Sequence, residues 1–245
     1  NFDEVGELFS RLSEVLASDA SELYAFEYDR LVSFGELIST QIVACYLKAE
    51  GLPVEWMDVR HVIRTNSDHC KARVDWDRSL KQSVVLADHL NDSEVNIIIT
   101  QGFIAGDKLE NTTTLGREGS DYSAAILAYL LDAESVTIWK DVPGMLNADP
   151  RWFSNTIKLD KISFREAIEL SYYGASVIHP KTIQPLKKKG IPLYVKSFKE
   201  PKASGSVIQE SDESDSLVPS YIFKPDQWLV SISPKDFSFI VEEHL

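Results

Sequence analysis

Within Thr112-Thr113-Thr114-Leu115-Gly116-Arg117-Glu118-Gly119-Ser120-Asp121 the chain gathers hydroxyls, glycines, an arginine and an aspartate. Arg117 carries a planar fork of donors matched to a carboxylate or a phosphate. Ser120 and Asp121 have the chemistry of helix N-caps. An apolar run over 95–100 precedes this segment, and a helical pattern over 122–131 follows it. A strand, a polar loop and a helix start, in that order, build a place for anions. The first backbone N–H groups of a helix are unpaired and carry the positive end of its dipole. Each residue alone reads as loop or cap; their density in one loop points to a binding site.

Two further places carry candidate chemistry. Ser33-Phe34-Gly35-Glu36 has the form of a capping box at a helix start, and the Glu36 carboxylate also suits a cation. Trp139-Lys140-Asp141-Val142-Pro143-Gly144 follows a strand pattern, so it falls at the carboxyl edge of a sheet, where α/β proteins bind ligands. Asp141 and Gly144 are also ordinary turn residues. His179-Pro180 reads as structural, because a residue before proline is conformationally restricted. Asp75, Asp77 and Asp88 are irregularly spaced and read as a solvated face, so no metal site is expected.

The elements that must position these residues follow from periodicity. Helical spacing runs over 7–17, 35–49, 78–90, 122–131, 164–173 and 181–189, and strand patterns over 54–59, 95–100, 135–139 and 192–196. Strands alternating with helices imply βαβ crossovers and a mainly parallel sheet covered on both faces. Residues 199–216 have the Pro, Gly, Ser, Asp and Glu content of a linker, after which 228–233 and 237–245 open a new strand and helix.

At 245 residues, with 44% hydrophobic and 10% aromatic content, the chain can bury a sizeable core. A net charge of −13 argues against nucleic-acid and anionic-membrane partners. Two cysteines, Cys45 and Cys70, supply neither a disulfide framework nor a zinc site, and Cys45 reads as a small core residue. No apolar run approaches the ~20 residues of a membrane span. The N-terminus lacks a signal pattern, so a soluble, cytoplasmic protein is expected. Lys187-Lys188-Lys189 suits the C-terminal turn of a helix.

Gln101-Gly102-Phe103-Ile104-Ala105-Gly106, followed by the threonine-to-aspartate run, resembles the aspartokinase signature within the amino-acid kinase family. Three more stretches resemble it in the family's order: Ser33-Phe34-Gly35-Glu36-Leu37-Ile38-Ser39-Thr40, Trp139 to Gly144, and Tyr173-Gly174-Ala175-Ser176-Val177-Ile178-His179-Pro180. The resemblance implies an α/β fold, a three-layer α/β/α sandwich with a mainly parallel central sheet. It implies transfer of the γ-phosphoryl group of ATP, with Mg2+, to the β-carboxylate of L-aspartate. Residues 1–198 would form the catalytic domain, 199–220 a linker, and 221–245 the opening of an α+β ACT domain that binds lysine or threonine as effector. A homodimer or higher oligomer is implied for the complete chain.

By the same resemblance Arg117 takes a carboxylate of aspartate, while Asp121 and Glu36 meet its ammonium group. Arg117 and Asp121 stand as catalytic residues. Ser39, Thr40, Phe103, Gly119 and Ser120 line the same pocket. Lys140, Asp141, Gly144, Leu146, Arg151 and Ser176 fall to ATP, with Asp141 near the adenosine and Arg151 at the phosphates. Three positions depart from the family. Lys140 replaces a common threonine, Ser176 stands where many relatives have lysine, and Leu146 stands where tyrosine is frequent. Lys140 would then supply the charge displaced from position 176.

The family's opening strand and Lys-Phe-Gly-Gly-Thr-Ser phosphate loop do not match Asn1-Phe2-Asp3-Glu4. A fragment is therefore expected, inactive or nearly so by itself. One rival is another amino-acid kinase, acting on glutamate, acetylglutamate or a carbamate. The other is a non-catalytic amino-acid sensor on a kinase-like scaffold. The threonine-to-aspartate loop and Ser-Phe-Gly-Glu favour aspartate, because they supply the ammonium contacts.

Overall fold

The computed structural model describes residues 3–91, 95–173, 177–211, 218–223, 226 and 228. Two helices open the chain, α1 (Asp3–Ala17) and α2 (Tyr24–Ala49), packed on each other with Leu8, Phe34 and Leu37 turned inward. Strand β1 (Val54–Met57) pairs in parallel with β2 (Ile97–Thr100), joined through a 3-10 turn at Val59–His61 and helix α3 (Trp76–Asn91). Strands β3 (Ile104–Gly106) and β4 (Thr112–Thr114) form an antiparallel pair. Helix α4 (Gly119–Leu130) then leads to β5 (Val136–Lys140).

Strand β6 (Lys161–Ser163), helices α5 (Phe164–Tyr173) and α6 (Pro180–Lys189), and strands β7 (Leu193–Ser197) and β8 (Ser206–Gln209) complete the described elements. They make a four-stranded sheet ordered β5-β7-β8-β6, parallel except between β7 and β8. Three of the five strand pairings among the described residues are parallel, and helices pack against the strands. This is the expected α/β sandwich, with the described strands divided among three small sheets.

Two apolar clusters hold it. One gathers Phe164, Ile183, Leu186, Leu193, Val195 and Ile208; the other gathers Leu37, Val59, Ile63, Ile104, Leu115 and Ile126. Helix α4 serves both, giving Ala125 and Ala128 to the first and Tyr122, Ile126 and Leu130 to the second. Its sequence is apolar nearly all round, as a helix buried on several sides requires. The N-terminus of α4 is thereby fixed from two directions.

Four expectations are corrected. Helix α2 starts at Tyr24, not near Gly35, so Ser33 and Glu36 are mid-helix and form no capping box. Ser33 is buried and its hydroxyl donates to the Arg30 carbonyl at 2.9 Å. No Pro interrupts residues 24–34, and Gly35 costs the helix only ~1 kcal/mol. The threonine run is not a loop but strand β4, as β-branched residues favour. The strand expected over 54–59 stops at Met57, where the Asp58 carboxylate accepts from the Arg60 N–H at 3.0 Å and starts the 3-10 turn. The stretch expected as linker contains β8, whose Ile208 is fully buried. Apart from Trp228, the expected ACT strand and helix over 228–245 lie outside the described residues.

Other expectations hold. His179 caps α6, its Nδ1 accepting from the Lys181 N–H at 3.1 Å, and Pro180 occupies the first turn. Lys187, Lys188 and Lys189 fill the last turn, where Lys189 donates to the Tyr129 carbonyl at 2.5 Å and pairs with Asp132. Cys45 is buried and free. No helix among the described residues is long and apolar enough to cross a membrane.

Candidate functional site

A cleft of about 600 Å³ opens at the N-terminus of α4, lined by Phe103, Thr114, Gly116 to Asp121, Lys140, Cys70, Tyr24 and Tyr28. Five elements meet here: the start of α2, the turn at Cys70, the residue before β3, the β4–α4 loop and the end of β5. Arg117 is exposed and makes no hydrogen bond or ion pair among the described residues. Its fork is therefore available to a ligand. The backbone N–H groups of the first turn of α4 carry the positive end of a twelve-residue helix to the same opening.

Close backbone approach gives the cleft its shape. A Cβ on Gly102 would stand 2.8 Å from the Ser120 Cα, and one on Gly119 would stand 2.7 Å from Phe103 Cδ2. Phe103 and Glu118 both adopt left-handed backbone, with φ of 68° and 53°. Such residues cost of order 1–3 kcal/mol each and concentrate where a site must be held in shape. Glu118, not Ser120 or Asp121, is the N-cap of α4, so Ser120 and Asp121 project from the first turn. Gly102→Ala is expected to push the start of α4 outward and destabilise the protein by about 1–3 kcal/mol. Urea unfolding checks this, and an unchanged midpoint would contradict the contact.

Beneath the cleft lies Asp29 of α2, fully buried. One carboxylate oxygen accepts from Cys70 N–H at 2.9 Å and Thr114 N–H at 3.0 Å and meets His69 Nδ1 at 3.1 Å. The other accepts from the Thr114 hydroxyl at 2.7 Å. Lys181 of α6 supports the loop from another side, donating to the Leu115 carbonyl at 2.9 Å with its ammonium 4.4 Å over the Tyr122 ring. Burial holds the Lys181 ammonium below its ordinary pKa. Neither Asp29 nor Lys181 was visible in the sequence, because their partners lie 40 to 85 positions away. Tyr24, Tyr28 and Cys70 were likewise unmarked by any motif.

Of the residues expected at the acceptor, the structure brings Phe103, Arg117, Gly119, Ser120 and Asp121 to the cleft wall, with Lys140 beside Asp121. Glu36, Ser39 and Thr40 lie on α2 and do not line it. The Thr40 hydroxyl donates to the Glu36 carbonyl at 2.8 Å and accepts from Trp56 Nε1 and Gln101 Nε2, both at 3.0 Å. That uses one donor and two acceptor positions, all a hydroxyl has. Gln101 in turn accepts from the Val59 N–H at 2.9 Å, so Thr40 positions the segment before Phe103. Ser39 is exposed, and burial pushes the Glu36 carboxyl above its ordinary pKa.

Among residues expected at the nucleotide, Lys140 ends β5 and meets Asp121 Oδ2 at 2.7 Å. Asp141, Gly144 and Leu146 follow on the same loop, outside the cleft wall. Gly144 (φ 147°) packs against Ser206, whose hydroxyl accepts from the Met145 N–H at 2.8 Å. Leu146 is half-buried in a bridge to Lys158. Arg151 is exposed and forks onto Asp149, at 3.0 Å and 2.5 Å, which holds that carboxyl below its usual range. Ser176 lies outside the described residues.

A glycine-shaped loop, an exposed arginine and a helix N-terminus thus meet at one cleft. The sequence profile of the amino acid kinase family matches residues 3–197. The chain belongs to the amino acid kinase family. It is 40% identical over 205 residues to lysine-sensitive aspartokinase 3 of Escherichia coli, covering 83% of this chain and 45% of that one. A bifunctional aspartokinase/homoserine dehydrogenase 2 of Zea mays, chloroplastic, is 37% identical over 89% of this chain and 24% of its own length. The crystal structure of E. coli aspartokinase III with aspartate and ADP superposes with a TM-score of 0.80 at 38% identity, covering 89% of this chain and 48% of that chain. The chain thus spans less than half the length of these relatives.

Proposed function

We propose that this chain carries the phosphoryl-transfer unit of an aspartate kinase, moving the γ-phosphoryl group of ATP to the β-carboxylate of L-aspartate. The carrying observation is the cleft at α4, where an unpartnered Arg117 and Asp121 line the same opening as the positive end of a helix. Likeness to aspartokinases, one of them solved with aspartate and ADP, supports the substrate pair. Arg117 holds a carboxylate of the acceptor by its two-pronged fork, and Asp121 receives the acceptor's ammonium. The attacking carboxylate is ionised at neutral pH, so no side chain need remove a proton. Rate enhancement then comes from alignment and from charge neutralisation at the transferring group.

The nucleotide lies along the loop after β5, with Asp141 toward the adenosine and Arg151 toward the phosphates. Among the described residues no three His, Cys, Asp or Glu side chains gather to hold a metal. Mg2+ enters as part of the Mg-ATP substrate, held chiefly by phosphate oxygens, and screens their charge. An amino-acid effector, lysine or threonine, is proposed for an ACT region beginning near residue 221, together with a homodimer and a cytoplasmic setting. The catalytic unit would run to Gln209 rather than 198, because β8 completes the sheet.

Trapping with hydroxylamine tests the chemistry. The full-length protein with Mg-ATP and L-aspartate is expected to yield the β-hydroxamate of aspartate. An α-hydroxamate, or none while ADP accumulates, would refute transfer to the β-carboxylate.

A further inference from the structure

Asp121 is not free in the cleft. The Lys140 ammonium, carried on the last residue of β5, stands 2.7 Å from Asp121 Oδ2. The contact is close but not aligned as a hydrogen bond, and no other described cation meets this carboxylate. Both side chains are largely buried, at 27% and 15% exposure, and both line the cleft that holds Arg117. The acceptor's ammonium, on the reading above, seeks the same carboxylate. A lysine head and an α-ammonium are the same chemical group, so they compete for one place.

We propose that Lys140 stands in for the acceptor ammonium in the empty cleft and is displaced when the acceptor binds. Once displaced, its flexible stem carries the charge toward the phosphates of the nucleotide bound along the adjoining loop. A compact ammonium on a four-carbon chain suits such a move better than a planar guanidinium. Leaving Lys140 buried and unpaired would be costly, so it moves to a nearby anion, and the phosphates of a nucleotide on the adjoining loop offer the densest negative charge. Acceptor and nucleotide then help each other bind, and by linkage the factor is the same in both directions. This inference rests on the aspartate kinase reading.

Isothermal titration of the full-length protein tests it. The dissociation constant of a non-hydrolysable ATP analogue, with Mg2+, is measured with and without saturating L-aspartate, and the converse titration is run. In the wild type, aspartate is expected to tighten nucleotide binding by on the order of tenfold, within the usual range of such couplings. In Lys140→Met the coupling is expected to fall to about one, while aspartate alone binds as tightly as before or more tightly, its competitor gone. Lys140→Arg is expected to restore part of the coupling, which a merely structural role would not do. Undiminished coupling in Lys140→Met, or weaker binding of aspartate alone, would overturn the inference while leaving the kinase reading intact. A wild-type protein that binds the nucleotide analogue but not aspartate would overturn the kinase reading itself, and this inference with it.

Discussion

Arg117→Ala is expected to lower kcat/KM for L-aspartate by about 10²–10³, as for the loss of one preorganised hydrogen-bond donor from an active site. The side chain is exposed and partnerless among the described residues, so its removal disturbs no internal contact. Stability should therefore stay within about 0.5 kcal/mol of the wild type. Arg117→Lys keeps the charge but loses the fork, and an intermediate loss of about tenfold is expected. Steady-state kinetics alongside thermal unfolding separates these effects. Activity of Arg117→Ala within about threefold of the wild type would remove Arg117 from the reaction. A large fall in stability would mean that it holds the fold instead.

Asp29→Ala should have the largest effect on stability, about 3–5 kcal/mol, as for the loss of a buried charge and its partners. The substitution strands Cys70 N–H, Thr114 N–H and the Thr114 hydroxyl around the space left by a fully buried carboxylate. Each orphaned donor costs roughly 1–3 kcal/mol, less than additively. Asp29→Asn keeps one acceptor oxygen but turns an NH2 group toward donors, and a loss of about 2 kcal/mol is expected. Because Cys70 and Thr114 also line the cleft, the folded Asn variant should bind aspartate more weakly. Urea denaturation followed by aspartate titration measures both. A wild-type unfolding midpoint for Asp29→Ala would contradict the network.

Much of the helical frame was legible, because it is written in local period. Helix α5 coincides with its sequence pattern, and α4, α6 and β7 shift by three residues or fewer at their ends. Strands β3, β4, β6 and β8 were not legible, being three or four residues long and specified by partners across the fold. Ser33-Phe34-Gly35-Glu36 misled for a physical reason. A capping box needs non-helical backbone before it, and residues 24–32 continue the helix instead.

In the site, the loop around Arg117 announced itself because its chemistry is dense in sequence. Asp29, Lys181 and the Lys140–Asp121 pair did not, since each joins residues 19 to 85 positions apart. Thr40 shows the opposite failure. Its motif pointed to substrate, yet its hydroxyl is wholly engaged with Glu36, Trp56 and Gln101.

The most direct measurement is ADP release by the full-length protein in Mg-ATP with L-aspartate, L-glutamate or N-acetyl-L-glutamate as acceptor. Turnover with aspartate and not with the other two is the expected result, because aspartate is the acceptor assigned above to Arg117 and Asp121. Turnover with glutamate or its acetyl derivative would assign a different amino-acid kinase. Silence with all three acids, from folded protein that binds ATP, would contradict the kinase reading and leave a sensor on the same scaffold.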